Sequence, residues 1–289
     1  MPLVVEKLNH TYMKGGPYET PALLDVSFTI EDGEFIGLIG HTGSGKSTLV
    51  QHLNGLLQPE SGRVLVDGVD LSDKTADRKQ IRCKVGLVFQ YAENQLFEET
   101  VEKDIAFGPK NLGLDPAEID RRVREAMRQV ALDYDTISQK SVFELSGGQM
   151  RRAAIAGVLA MKPRVLVLDE PCAGLDPHGR EEILGLIKEL HRTSGVTIIM
   201  VSHSMDDVAQ LAERVLVMDH ARLVMDGTPE EVFTHGDELR KMGLDVPQVV
   251  QLCEQLRERG FDIPERVYRT EEIRDILLNC LAKGDHHAQ

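Results

Sequence analysis

A glycine-rich segment at residues 40–47 has the residue types and spacing of a phosphate-binding loop. It matches the pattern G-x-x-x-x-G-K-[ST]. Glycines let such a loop point its backbone N–H groups at phosphate oxygens, while Lys46 would reach the terminal phosphates and the Ser47 hydroxyl would bind Mg²⁺. The buried strand predicted before the loop and the helix predicted over residues 46–57 favour nucleotide binding over an ordinary glycine turn. The residues expected to contact nucleotide here are Gly40, His41, Thr42, Gly43, Ser44, Gly45, Lys46, Ser47 and Thr48.

Two consecutive acids end an apolar strand further along the chain. The strand covers residues 165–168, and Asp169 and Glu170 follow it. Such a strand can deliver Asp169 to the Mg²⁺ ion beside the phosphate loop and place Glu170 where it polarises an attacking water. The alternative is that the two acids cap the next helix.

A second anion-binding helix start is predicted at Ser146, Gly147, Gly148 and Gln149. The phosphate loop already binds the β- and γ-phosphates of its own nucleotide, so a second phosphate-binding segment on the same chain needs another role. Residues 145–149 resemble the signature of the ABC ATPases, and the order and spacing of the motifs match that family over residues 3–228. The resemblance implies that this segment completes the ATP site of a second ATPase subunit. A serine-glycine surface loop is the alternative.

Other positions take roles from the same resemblance. Tyr12 resembles the aromatic residue that stacks on adenine, although an ordinary strand aromatic is the alternative. Gln90 resembles the glutamine that binds Mg²⁺ and senses the γ-phosphate, and His203 the histidine that contacts the γ-phosphate. Residues 173–176 resemble the loop that crosses between subunits. The implied catalytic residues are Glu170, His203 and Gln90, and the implied Mg²⁺ ligands are Ser47, Gln90 and Asp169.

Residues 89–97 and 149–157 are similar to the ATPases of energy-coupling-factor transporters, which import vitamins and transition-metal ions such as cobalt and nickel. The segments 14–23 and 172–177 resemble the second of the two paralogous ATPases. This implies three partners: a second ATPase subunit, an integral membrane coupling subunit and a substrate-binding membrane subunit. The sequence does not identify the transported substrate, and it leaves open whether the two ATPase subunits form a homodimer or a heterodimer.

Two residues depart from that family pattern, Ala92 where proline is usual and Cys172 where threonine is usual. Residues 91–97 mix aromatic residues with the acid Glu93. We expect this segment to form a docking groove for a short helix of the membrane partner, with Glu93 binding a basic residue of that helix. Alternatively, the aromatic residues belong to the core and Glu93 is solvated.

The predicted fold is an α/β ABC ATPase core, a P-loop NTPase with a mixed sheet and flanking helices. Strands and helices alternate along residues 1–228, interrupted by a mainly helical lobe at about residues 97–161. Residues 229–289 are predicted to form a C-terminal helical appendix that contacts the other ATPase. We interpret the His286-His287 pair as part of a disordered tail rather than a metal site.

Composition narrows the function classes. The formal net charge of −14 disfavours contact with nucleic acid. The cysteines form no CxxC pair, which disfavours zinc, and scattered thiols suit a reducing cytoplasm. The sequence shows no signal-peptide core and no apolar run of about 18 residues. We therefore expect a peripheral protein on the cytoplasmic face of the membrane. A soluble ABC ATPase outside transport, and a P-loop kinase or GTPase, are the alternatives.

Overall fold

A computed structural model describes residues 3–73 and 83–283. Its strands are β1 (Leu3–Tyr12), β2 (Thr20–Ile30), β3 (Phe35–Ile39), β4 (Ser61–Val66), β5 (Val69–Asp70), β6 (Val85–Val88), β7 (Val165–Asp169), β8 (Thr197–Val201), β9 (Arg214–Asp219) and β10 (Arg222–Gly227). Its α-helices are α1 (Lys46–Leu53), α2 (Val101–Asn111), α3 (Pro116–Gln129), α4 (Tyr134–Ile137), α5 (Gly147–Leu159), α6 (Pro177–Ser194), α7 (Met205–Leu211), α8 (Pro229–Thr234), α9 (Gly236–Lys241), α10 (Gln248–Glu258) and α11 (Thr270–Lys283).

A six-stranded sheet forms the centre of the protein, in the order β10-β9-β3-β8-β7-β6. Neighbours from β9 to β6 pair in parallel, and β10 pairs antiparallel with β9. Strand β7 shows why its sequence is continuously apolar. Val165 and Val167 pack into the core on one face of the sheet, and Leu166 and Leu168 pack into the core on the other. A parallel strand covered on both faces needs apolar residues at every position. The predicted mixed sheet is confirmed.

A four-stranded antiparallel sheet, in the order β2-β1-β4-β5, covers one face of the central sheet together with α1. In β2 the alternate residues Val26, Phe28 and Ile30 are buried. This alternation arises because successive strand residues point to opposite faces.

The helices α2, α3 and α5 pack on one another over the opposite face. Each begins at a residue that caps it: Thr100, Asp115 and Ser146 accept hydrogen bonds from backbone N–H groups of the first turn. The helix start predicted at Ser146 is confirmed.

Some elements differ from the sequence prediction. Helix α1 ends at Leu53 rather than at residue 57, because Gly55 takes a left-handed φ of 71° and the Leu56 N–H donates back to the Gln51 carbonyl. The edge strand β10 and the short helix α9 were not predicted. In β10 alternate residues are exposed, and two charged residues interrupt its apolar pattern.

Among the described helices, none combines the length and apolar character needed to cross a bilayer. The His286-His287 pair lies outside the described residues.

Candidate nucleotide-binding and catalytic site

Four predicted site segments follow neighbouring strands of the central sheet. The phosphate loop follows β3, Gln90 follows β6, Glu170 follows β7 and His203 follows β8. These strands are parallel, so their carboxyl ends, and the segments after them, meet at one edge of the sheet. This topology places the predicted residues on a common edge.

The backbone of the phosphate loop leaves no room for side chains at two glycines. A Cβ atom at Gly45 would lie 2.3 Å from the Ala22 carbonyl oxygen, and Gly45 has a φ of +108°. A Cβ at Gly40 would lie 2.4 Å from the Met218 oxygen. By contrast, a Cβ at Gly43 would meet nothing within 4 Å. The loop is therefore held against strands β2 and β9 on one side and open at Gly43.

Lys46 is buried at the start of α1. Its Nζ donates hydrogen bonds to the carbonyl oxygens of Gly40 (2.6 Å) and His41 (3.0 Å). Burial lowers the pKa of Lys46, whereas the nearby carboxyls of Glu170 and Asp169 raise it. The structure thus brings the predicted phosphate-binding cation within electrostatic range of both predicted acids.

The two acids after β7 have environments that favour their neutral forms. Burial raises the pKa of Asp169, and Lys46 opposes that rise. Burial, and then the charge of Asp169, raises the pKa of Glu170 to about 7. A carboxyl group with a pKa near the working pH is matched to accepting a proton during hydrolysis. The alternative role as a helix cap is wrong, because Asp176 caps the next helix, α6.

The backbone of Glu170 leaves the regular strand conformation directly after β7. Its φ of 50° is left-handed, which is uncommon for a residue with a side chain, and its N–H donates to Val201 O at 3.0 Å. His203 Nε2 lies 3.4 Å from Glu170 Oε1. Burial and the Lys46 charge lower the pKa of His203. The structure therefore brings the predicted base and the predicted γ-phosphate contact together.

The site has the donor atoms that ATP and Mg²⁺ require. Ser44 Oγ and Glu170 Oε1 are buried without a hydrogen-bond partner in the described structure. Ser47 is exposed in the first turn of α1, and Gln90 is exposed in the loop after β6. Hydroxyl, amide and carboxylate oxygens are the ligands that Mg²⁺ accepts. The arrangement fits a bound nucleotide with its metal.

Tyr12 ends β1 beside the phosphate loop. Its hydroxyl lies 3.2 Å from Thr48 Oγ1, and its side chain is 41% exposed. The contact connects Tyr12 to the first turn of α1 and leaves part of the ring accessible. Stacking on adenine stays a prediction.

The predicted signature segment forms a capping box at the start of α5. Ser146 Oγ accepts from Gln149 N–H, and Gln149 Oε1 accepts from Ser146 N–H. Within the described residues, these two side chains form hydrogen bonds only with this turn. A Cβ at Gly147 or Gly148 would meet nothing within 4 Å. The helix start is consequently open, and the structure does not join it to the phosphate loop of the same chain.

Arg151 connects three functional segments, and the sequence pattern had indicated no role for it. It lies one turn into α5 and is 3% exposed. Its Nη1 donates to the carbonyls of Pro171 (2.7 Å) and Ala173 (2.8 Å), and its Nη2 donates to the Gln90 carbonyl (3.3 Å). One guanidinium therefore ties the segment after Glu170 to the loop that carries Gln90.

Arg151 also corrects the expected role of Glu93. Glu93 Oε2 accepts from Arg151 Nη2 at 3.1 Å, so this acid binds a buried arginine of its own chain rather than being free for a partner. The sequence signal was available. Arg151 lies three and four residues before Ala154 and Ile155 on the buried stripe of α5, where a charge needs a partner.

A second arginine supports the His203 segment. Arg180 Nη2 donates to Asp207 Oδ1 and to Ser204 Oγ, each at 2.6 Å. Ser204 caps α7 and directly follows His203, while Arg180 lies at the start of α6. Asp207 is buried, and its ion pair with Arg180 fixes the start of α6 relative to the start of α7. Sequence spacing gave no signal for this contact between separate helices.

Comparisons with known proteins agree with this geometry. The sequence model of the ABC transporter family matches residues 23–173. The energy-coupling factor transporter ATP-binding protein EcfA2 of Clostridium perfringens is 59% identical over 255 residues, covering 88% of this chain and 90% of that protein. The same protein from Clostridium tetani is 60% identical over 252 residues, covering 87% and 88%.

Solved structures have the same fold. CbiO1 from Clostridium perfringens, part of the ABC transporter complex cbiONQ, superposes with a TM-score of 0.73 at 40% identity, covering 87% of this chain and 98% of that one. A dimeric post-hydrolysis state of the ATP-binding cassette MJ0796, bound to ADP and Pi, gives a TM-score of 0.70 at 28% identity, covering 78% and 98%.

Proposed function

Because this chain belongs to the ABC transporter family, and within it to the energy-coupling factor ATP-binding proteins of the EcfA2 type, we propose that it hydrolyses ATP to drive an importer of vitamins or transition-metal ions. The observation that carries the catalytic part is the pair Glu170 and Lys46. A carboxyl group with a pKa of about 7 lies within electrostatic range of the buried lysine of the phosphate loop.

Each site residue has a defined task in this proposal. Glu170 accepts a proton from the attacking water, and His203 lies against it to contact the γ-phosphate. Lys46 stabilises charge on the phosphates. Mg²⁺, held by Ser47, Gln90 and Asp169, would neutralise further phosphate charge when bound.

The substitution Glu170→Gln tests the catalytic assignment, because it keeps the shape of the side chain and removes its basicity. Loss of a general base lowers turnover by about 10²–10⁴-fold. We expect that loss in steady-state hydrolysis, with ATP binding retained. Normal turnover by a dimer carrying Glu170→Gln at every competent site would refute the assignment.

The open signature segment supports a shared site. Ser146 caps a helix whose first residues, Gly147 and Gly148, have open space where a Cβ atom would lie, while the phosphate loop of the same chain has its own cation. We propose that this segment serves the ATP bound by a second ATPase subunit, either a paralogue or another copy of this chain. The MJ0796 cassette, which has a similar fold, is itself dimeric.

Dilution tests the shared site. A monomer that binds ATP but lacks the second signature should hydrolyse it poorly, so activity should rise more steeply than linearly with protein concentration, or rise when the paralogue is added. Activity strictly proportional to concentration, down to a dilute monomer, would contradict a shared site.

An apolar groove beside Gln90 supports docking of a membrane subunit. The groove has a volume of about 550 Å³, and Phe89, Phe97, Phe107 and Met161 are among its lining residues. Phe97 is 59% exposed and packs edge-to-face on Phe107 at 4.8 Å. Exposed aromatic residues around a concave surface are typical of a helix-binding groove. We propose that a short helix of the coupling subunit binds here, which would hold the protein on the cytoplasmic face of the membrane.

Phe97→Ser tests the groove, with Phe143→Ser as the matched control. Phe143 is 79% exposed and does not line the groove. We expect Phe97→Ser to retain ATP hydrolysis but to lose copurification with the integral membrane subunit, while Phe143→Ser retains both. Unchanged assembly in Phe97→Ser would place the docking surface elsewhere. If the unsubstituted chain copurifies with no membrane subunit at all, the alternative of an ABC ATPase outside transport is favoured.

A further inference from the structure

A cluster of two histidines and one aspartate lies outside the catalytic residues described above. His41 belongs to the phosphate loop, whereas Asp219 ends β9 and His220 follows it in the turn to β10. Each offers one potential ligand atom, and these three atoms lie within 4.8 Å of one another. Imidazole nitrogen and carboxylate oxygen together are a donor set that binds divalent zinc or nickel.

The hydrogen bond of His41 leaves its second ring nitrogen available. Nδ1 lies 2.8 Å from the Thr42 carbonyl oxygen, which can only accept, so Nδ1 carries the proton. In the neutral ring Nε2 then holds a lone pair. A histidine oriented by an Nδ1–H bond to a backbone carbonyl is the usual form of a metal-binding histidine.

The contact between His41 and Asp219 brings two buried potential ligand atoms together without a hydrogen bond between them. Nε2 and Oδ1 are 3.1 Å apart, yet both atoms are buried and form no hydrogen bond in the described structure. Two ligand atoms about 2.0–2.2 Å from one metal ion lie roughly 3 Å apart because both point at the ion instead of at each other. A neutral His41 would otherwise place a lone pair against a carboxylate oxygen.

The turn that carries His220 places it beside this pair. His220 Nε2 is 3.9 Å from Asp219 Oδ1, and its side chain is 87% exposed, so a small rotation completes the set. His220 and Ala221 both have left-handed φ values, 42° and 66°, where glycine or asparagine is usual in a two-residue hairpin turn. The Ala221 N–H donates to the Ser44 carbonyl at 3.1 Å, so the turn already contacts the phosphate loop.

We propose that His41, Asp219 and His220 bind one divalent transition-metal ion of the zinc or nickel class. The ion has three protein ligands and a position open to water, and it cross-links the turn between β9 and β10 to the phosphate loop. The site uses none of the residues assigned to Mg²⁺, and it stands whether or not the ATPase assignment is correct.

Calorimetric titration of the nucleotide-free full-length chain with Zn²⁺ tests the proposal, because nucleotide would itself chelate the ion. His286 and His287 are replaced by Gln throughout to remove competing imidazoles. We expect one Zn²⁺ per chain, and a loss of affinity of at least about 10-fold in Asp219→Asn and in His220→Ala. The matched control is His235→Gln, an exposed histidine 3.5 Å from a single carboxylate, which should bind as the parent does.

Two further readouts locate the ion. Bound Co²⁺ should show the absorption of nitrogen and oxygen ligands without thiolate charge transfer. Zn²⁺ should also slow hydrogen exchange at the Ala221 amide in the parent but not in Asp219→Asn. The proposal is overturned if the parent binds no stoichiometric Zn²⁺, if Asp219→Asn and His220→Ala bind as tightly as the parent, or if Co²⁺ reports thiolate ligation.

Discussion

The substitution Glu170→Gln should make the nucleotide-free protein more stable at alkaline pH, because the folded state holds Glu170 in an unfavourable environment for its charged form. The folded pKa is about 7, compared with an ordinary value of 4.5. The difference of about 2.5 corresponds to at most roughly 3 kcal/mol, at 1.36 kcal/mol for each pKa unit. Because solvent still reaches part of the site, screening reduces the expected contribution to about 2 kcal/mol. A glutamine of the same shape carries no charge, so the free-energy cost of holding a charged carboxylate at this position disappears.

The sign of the pH dependence follows from proton binding. Between pH 4.5 and about pH 7 the folded state binds more protons at this group than the unfolded state does. Stability contributed by Glu170 is therefore fully present below pH 4.5, falls as the pH rises towards 7, and stays low above that value. The difference in unfolding free energy between Glu170→Gln and the parent should grow over that window, from near zero to about 2 kcal/mol.

Urea unfolding at a series of pH values, without nucleotide and with EDTA present, measures this difference. The exposed Glu181→Gln on α6 is the matched control and should follow the parent at every pH. The same pH dependence in Glu170→Gln and in the parent, or a Glu170→Gln protein less stable than the parent at pH 8, would refute the reasoning that burial raises the Glu170 pKa.

Three further substitutions have expected outcomes. Lys46→Ala should weaken ATP binding by at least about 10-fold, since a buried charge-assisted contact is lost; fluorescent-nucleotide titration of the folded variant measures it, and unchanged affinity contradicts the role of the loop. Arg151→Met should lower the free energy of unfolding in urea by about 3 kcal/mol, because it leaves the buried oxygen atoms that accept from Arg151 without a donor. The control Arg152→Met replaces a more exposed arginine and should lower it by under about 1 kcal/mol. Equal effects of the two substitutions would argue against the proposal that Arg151 connects the segments after Glu170 and Phe89. Gly45→Ala should disrupt the phosphate loop and abolish ATP binding, because Gly45 has a φ of +108° and an added Cβ would clash with a backbone oxygen. The control Gly185→Ala adds a Cβ in open space on α6 and should leave the stability to thermal unfolding unchanged or raise it by about 1 kcal/mol. Normal ATP binding by Gly45→Ala would show that the loop has a different conformation.

The sequence by itself predicted the features that depend on a few consecutive residues. The phosphate loop, the acids after β7 and the helix start at Ser146 are local, because glycine conformations, strand ends and helix caps are decided within one turn of the chain. The buried strand predicted before the phosphate loop is β3, Phe35–Ile39. The roles assigned to these residues in catalysis and in ligand binding stay predictions.

Only the tertiary structure decided which distant residues meet. Arg151 and Glu93 are 58 positions apart, and their pairing removed the expected free acid from the docking surface. His41 meets Asp219 only because β3 and β9 are neighbours in the sheet. The pKa of Glu170 likewise depends on burial and on the approach of Lys46 and Asp169. Local sequence patterns fix backbone conformation, whereas charge pairing and burial depend on packing between elements that are separated along the chain.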